Sequence, residues 1–147
     1  MIKKILVPVD GSEHAQKAVE FAANVAKQND ASVHLLHIIS STKIPKEVED
    51  FVKSERIAEP PATYLQVVGE KILGAAESEA KRMGIKNVEK IVMKGDPAQV
   101  IIDYAKEGDF DMIVIGSRGL GGVKGLMLGS VSSKVCHAAD RTCVTVK

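Results

Sequence analysis

Met112-Ile113-Val114-Ile115-Gly116-Ser117-Arg118-Gly119 is an apolar run that breaks into a glycine turn. Four apolar residues in succession suit a strand buried on both faces, as in a parallel sheet. The opening of the chain repeats the plan: Ile5-Leu6-Val7-Pro8-Val9 runs into Asp10-Gly11-Ser12. Pro8 lacks an amide donor, so it fits a strand end better than a strand centre. Ser12 suits a helix cap, and Glu13 suits the positive end of the helix behind it. Apolar residues then recur at Ala15, Ala18, Val19, Ala22, Ala23 and Ala26. That spacing is helical, and the small side chains allow close approach to a sheet.

Working outward, Val33 to Ile39 predicts a second strand with His34 and His37 inside it. Val88 to Met93 predicts a third, more exposed because of Glu89 and Lys90, and Cys143-Val144-Thr145-Val146 a last one. A long helix carries Leu65, Val68, Ile72, Leu73, Ala76, Ala80 and Met83 on one face and stops at Gly84. Asp96 and Pro97 open another helix, which Gly108 ends, and a further helix spans about Ser130 to Ala139. Residues 40–60 hold Pro45, Pro60 and a charged patch without clear period. They are expected to form a polar connection, functional or mobile, with a short helical piece around Val48 to Lys53. Strand and helix alternating four times before a last strand require a doubly wound parallel sheet, helices on both faces. Residues 1–147 are expected to form a single domain.

Composition narrows the function. The 147 residues are 45% apolar and 27% charged, as in an ordinary globular protein. Aromatics are only 3% and Trp is absent, which leaves little with which to stack nucleic-acid bases. The net charge of +1 points neither to nucleic acid nor to an anionic membrane. No apolar run approaches the roughly 18 residues of a membrane span. The stretch ending at Pro8 is too short for the core of a signal peptide. Cys136 and Cys143 suggest a reducing, cytoplasmic setting and read as packing residues rather than a redox pair.

The chemistry concentrates at two strand ends, where open parallel sheets bind ligands. Gly116 and Gly119 let backbone approach a ligand closely. Nine residues later, Gly129-Ser130 stands at a helix start, whose free N–H groups and dipole make an anion site. The hydroxyls of Ser130 and Ser132 can donate to the same oxygens. Arg118 and Lys124 read either as counter-charges for phosphate or as solvated loop cations. Asp10 suits a ribose hydroxyl or an adenine edge, and equally suits starting the turn and capping the first helix. Neither a dinucleotide fingerprint nor a P-loop occurs. His14, His34, His37 and His137 show no metal-ligand spacing. Ser130 and His137 lie about 10 Å apart along one helix, too far for a nucleophile–base pair.

Taken together, Gly116-x-x-Gly119, nine residues and Gly129-Ser130 resemble the glycine motif of the universal stress protein family, in its ATP-binding branch. Ile5 to Ser12 resembles that family's first strand and turn, Leu36-His37-Ile38-Ile39 its second strand, and Gly95-Asp96-Pro97 its third helix start. The resemblance covers nearly the whole chain and is weakest over residues 41–62. It implies an adenine-nucleotide alpha-hydrolase-like sheet in the order 3-2-1-4-5. It implies adenine near Pro8, Val9, Asp10 and the backbone of Ile38. Ribose and phosphates would be held by Asp10, Gly116, Ser117, Arg118, Gly119, Gly129, Ser130, Val131 and Ser132, with Mg²⁺ or Mn²⁺ on the phosphates. It also implies a homodimer through the last strand. Thr142-Cys143 departs from the Pro common in the family before that strand. The order 3-2-1-4-5 makes strands 1 and 4 neighbours, whereas a flavodoxin-like order would hold their ends about 10 Å apart.

Three functions compete. The first is an ATP-binding regulatory module in stress response, with slow hydrolysis possible and an unknown protein partner. The second is a true ATPase or adenylate-transferring enzyme of the same architecture. The third, a phospho-acceptor receiver, needs an acceptor Asp ending the third strand; Asp96 there is better used as a cap.

Overall fold

The computed structural model describes residues 1–40, 43–120 and 128–147. Ten elements follow one another: β1 (Lys4–Pro8), α1 (Glu13–Asn29), β2 (Ser32–Ile39), α2 (Lys46–Glu55), α3 (Ala62–Arg82), β3 (Val88–Lys94), α4 (Pro97–Glu107), β4 (Met112–Gly116), α5 (Ser130–Ala138) and β5 (Thr142–Val146). The strands form one sheet in the order β3-β2-β1-β4-β5. Every neighbouring pair is parallel, with Ile5 opposite Val33 on one side and Met112 on the other.

Successive strand residues point to opposite faces, so the apolar runs split into two cores. Ile5, Val7, Val33, Leu35, Met112 and Val114 lie in the core beneath α1 and α3. Leu6, Leu36, Ile113 and Ile115 lie in the other, with Ile101 of α4 and Val135 of α5. This explains why the central strands show no alternation: both faces are covered. β1 ends at Pro8, where a missing donor costs the ladder little, although the Val9 N–H still donates to the Leu36 carbonyl of β2 at 2.8 Å. β3 lies at the sheet edge and keeps Glu89 and Lys90 exposed.

Local signals placed most helix ends. The Ser12 hydroxyl accepts from the Ala15 N–H at 3.2 Å and caps α1, whose buried face is five alanines and Val19. Asp96 caps α4 by accepting from the Gln99 N–H at 3.1 Å, with Pro97 in the first turn. α3 stops before Gly84, which takes a φ of +96°. Three expectations need correction. Two helices, not one, connect β2 to β3, because the short piece expected around Val48 extends to ten residues. Only Val48 of α2 is buried, so its apolar face is too sparse to reveal its length. α5 stops at Ala138, and β5 begins one residue early at Thr142, opposite Met112.

His34 lies in β2 and is 7% exposed. Ser32 Oγ lies 3.1 Å from its Nε2 and 3.3 Å from the Lys3 carbonyl. Nδ1 stands 3.4 Å from Glu89 Oε2, without the alignment of a hydrogen bond. Burial holds the protonation constant below its ordinary 6.5; Glu89 pulls the other way, and Lys4 reinforces burial. As pH falls, the unfolded chain therefore takes up this proton before the folded one. The resulting stability is fully present above about pH 6.5 and is lost below it. The urea midpoint is expected to drop between pH 7 and pH 5, and His34→Gln should show a shallower drop. Equal slopes in the two proteins would remove His34 from the account.

Candidate functional site

The switch point lies between β1 and β4, the neighbours from which the chain winds in opposite directions. A cleft of about 340 Å³ opens beyond their carboxyl ends. That is the low end of the range for small-molecule sites.

Asp10 holds its rim together. Its Oδ1 accepts from the Ser12 N–H at 2.9 Å, which shapes the turn into α1. Its Oδ2 accepts from the Leu120 N–H at 3.0 Å, across the cleft. One carboxylate thus ties the turn after β1 to the turn after β4, 110 residues apart. Both sequence readings of Asp10 meet here: it shapes the α1 turn and it faces the cleft. Glycine is demanded at two places on the second turn. A Cβ on Gly119 would run into Asp10 Oδ2. A Cβ on Gly116 would lie 2.7 Å from the carbonyl carbon of His14 and 2.9 Å from the amide nitrogen of Ala15.

The far wall is the start of α5. Gly129 is its N-cap and supplies no side-chain acceptor, so the first-turn N–H groups have none from that residue. The Gly129 N–H donates to the Ser117 carbonyl at 2.6 Å, which fixes this helix start against the β4 turn. The floor is apolar, built from Val9, Leu36, Ile38, Ile101 and Ile115. A flat apolar group fits that floor, and an anion fits the amino end of α5.

Most of the expected site residues do converge. Pro8, Val9, Asp10 and Ile38 line one side, Gly116, Arg118 and Gly119 the next, and Gly129, Ser130, Val131 and Ser132 the third. Two behave differently from expectation. Ser117 does not line the cleft: it is 1% exposed, and its hydroxyl pairs with His14 Nδ1 at 3.0 Å. A hydroxyl beside an imidazole has the look of a nucleophile and its base, but this one faces the α1 side of the turn. Ser132 lines the cleft, yet its hydroxyl is engaged with the Ser117 carbonyl at 2.9 Å and the Gly129 carbonyl at 3.1 Å. What remains of it for a ligand is its backbone N–H. Lys124 lies outside the described residues.

Two lining residues had no distinguishing signal. Lys43 comes from the connection after β2, where cations are plentiful. His37 Nδ1–H donates to the Val9 carbonyl at 2.9 Å and so pins the backbone at the cleft edge. In sequence it is simply a histidine within an apolar strand. Among the described residues no group of three or more His, Cys, Asp or Glu gathers to hold a metal. Among them also, no helix is long and apolar enough to cross a membrane.

Comparison with known proteins agrees with this fold. The model of the universal stress protein family matches residues 1–147. The universal stress protein YxiE of Bacillus subtilis (strain 168) is 37% identical over 143 residues, covering 92% of each chain. The solved structure of the universal stress protein UspA from Lactobacillus plantarum is 25% identical, with a TM-score of 0.80 over 99% of this chain and 98% of that one. A universal stress protein family structure from Arabidopsis thaliana with AMP bound is 24% identical, with a TM-score of 0.68 over 99% and 91%, and shares the fold.

Proposed function

We propose that this chain, which belongs to the universal stress protein family, is a regulatory domain spanning residues 1–147 that binds ATP, or a close adenine nucleotide, in the cleft between β1 and β4. The observation that carries the reading is the convergence of three features on one space. The Asp10 turn and the Gly116–Gly119 turn are latched by the Leu120 N–H, and the amino end of α5 faces them. An apolar floor beside Ile38 suits the base. The Asp10 carboxylate at the rim suits ribose hydroxyls, which donate to it. The backbone N–H groups of Ser130, Val131 and Ser132 suit phosphate oxygens, with the α5 dipole adding attraction. Arg118 and Lys43 line the same space and bring positive charge to it.

A magnesium or manganese ion fits this arrangement only when carried on the phosphates. No cluster of three or more ligating side chains forms among the described residues. Such an ion would neutralise phosphate charge. The family and the topology support the rest of the proposal. β5 lies at the sheet edge with its outer backbone groups unclaimed by β4, and it suits pairing with a second copy. The setting is cytoplasmic, and the nucleotide state is read by a protein partner in stress response.

Denaturing the purified protein and identifying released small molecules by mass spectrometry tests the core claim. Adenine nucleotide is expected, with saturable ATP binding to the emptied protein by calorimetry. Recovering none and seeing no binding heat would defeat the reading.

A further inference from the structure

Cys136 lies in the last turn of α5, and Cys143 is the second residue of β5. The short turn through residues 139–141 folds the strand back along the helix. Their sulfur atoms stand 2.8 Å apart. Both are free and half-buried against the apolar core beneath α4 and α5. A bonded pair lies at about 2.05 Å. Bond formation therefore asks less than about 1 Å of sulfur movement. Their spacing of seven residues across two elements gave no hint of this, and packing was the expected role.

We propose that Cys136 and Cys143 form an oxidant-responsive dithiol that a peroxide converts to an intramolecular disulfide. In the first step the Cys136 thiolate attacks a peroxide oxygen. An S–O bond forms and the O–O bond breaks. The departing alkoxide or hydroxide takes the proton released by the thiol and leaves as alcohol or water. Cys136 is then a sulfenic acid. In the second step the Cys143 sulfur attacks the Cys136 sulfur. The S–S bond forms, the S–O bond breaks, and hydroxide leaves with the Cys143 proton as water. Two thiols lose two electrons and the peroxide gains them. A small dithiol reverses the change.

The two sulfurs are not equivalent. Burial pushes the Cys143 thiol well above its ordinary range, with Cys136 adding to the shift. Cys143 therefore holds little thiolate and is not the sulfur expected to start the reaction; in the second step it gives up its proton as it attacks. The bond would staple the end of α5 to the start of β5. Ser130 lies six residues before Cys136, about 9 Å along the helix. The site is thus separate from the cleft, and the proposal does not depend on what the cleft binds.

The test uses the full chain, reduced and desalted, then treated with a few equivalents of hydrogen peroxide. Expected are loss of both titratable thiols, a mass decrease of about 2 units and a Cys136–Cys143 cross-linked peptide. Non-reducing gels should show a monomer, and dithiothreitol should restore both thiols. The oxidised protein should melt about 5 °C higher than the reduced one. Cys143→Ser should stop at the sulfenic acid, trapped by dimedone on Cys136. Cys136→Ser should consume peroxide at least about 10-fold more slowly. Persistence of both thiols, a gain of about 32 mass units on one cysteine, or a reducible intermolecular dimer would each overturn the proposal. Because the decisive readouts are on the parent protein, a variant that fails to fold does not shield the idea.

Discussion

Gly116→Ala is expected to lower the unfolding free energy by about 3 kcal/mol, the upper part of the range for overpacked cores. The added methyl would lie 2.7 Å from the His14 carbonyl carbon and 2.9 Å from the Ala15 nitrogen. Both atoms belong to the backbone of α1, so no rotamer change relieves the contact. Nor can the helix withdraw cheaply. Its buried face is mostly alanine, seated on β1 and β4, and alanines have no longer side chain with which to bridge a gap. Gly116 itself is held in register by β5, opposite Val146. Urea denaturation should show a lower midpoint with an unchanged slope. A variant within about 0.5 kcal/mol of the parent would mean that α1 does not approach β4 as closely as described.

Asp10→Ala is expected to weaken ATP binding by at least 100-fold, about 2.7 kcal/mol. Two backbone N–H groups, of Ser12 and Leu120, lose a charged acceptor at once. Hydrogen bonds to a charged group contribute about 1.5–3 kcal/mol each. Losing the Leu120 bond also frees the two cleft walls from each other, so the ligand must order them on binding. Calorimetric titration measures the affinity, and a thermal melt separates this from simple unfolding. Parental affinity in a folded Asp10→Ala protein would show that the carboxylate neither touches nor shapes the ligand site.

How much of this was readable in advance depends on how local each signal was. The central strands were legible because apolar runs such as Val7 and its neighbours, or Ile113-Val114-Ile115, need cover on two faces. The capped helix starts were legible because Ser12 and Asp96 act on amides three residues ahead. The cleft was legible because its glycines sit at strand and helix ends, where close backbone approach has a purpose. α2 was only half legible, since a helix burying one valine carries almost no periodic pattern. The direction of Ser117 was not legible either. A turn framed by glycines leaves its side chains free to point either way, and the choice falls to His14, 103 residues distant. The same holds for Ser132, whose hydroxyl serves carbonyls that only the folded turn brings near. The contact between Cys136 and Cys143 depends on how the last strand returns along α5, which spacing alone does not specify.

The sheet order also sets a timetable for synthesis. β1 finds one neighbour in β2, about thirty residues on, but its other neighbour begins at Met112. At ribosomal rates of about 5–20 residues per second, roughly 4 to 16 s pass between the two. Throughout that interval the nascent chain carries a strand of Ile5, Leu6 and Val7 with one bare flank, the kind of edge to which stray strands add. The cleft does not exist until β4 and α5 have emerged, so a ligand held there can stabilise the chain only once α5 has been made.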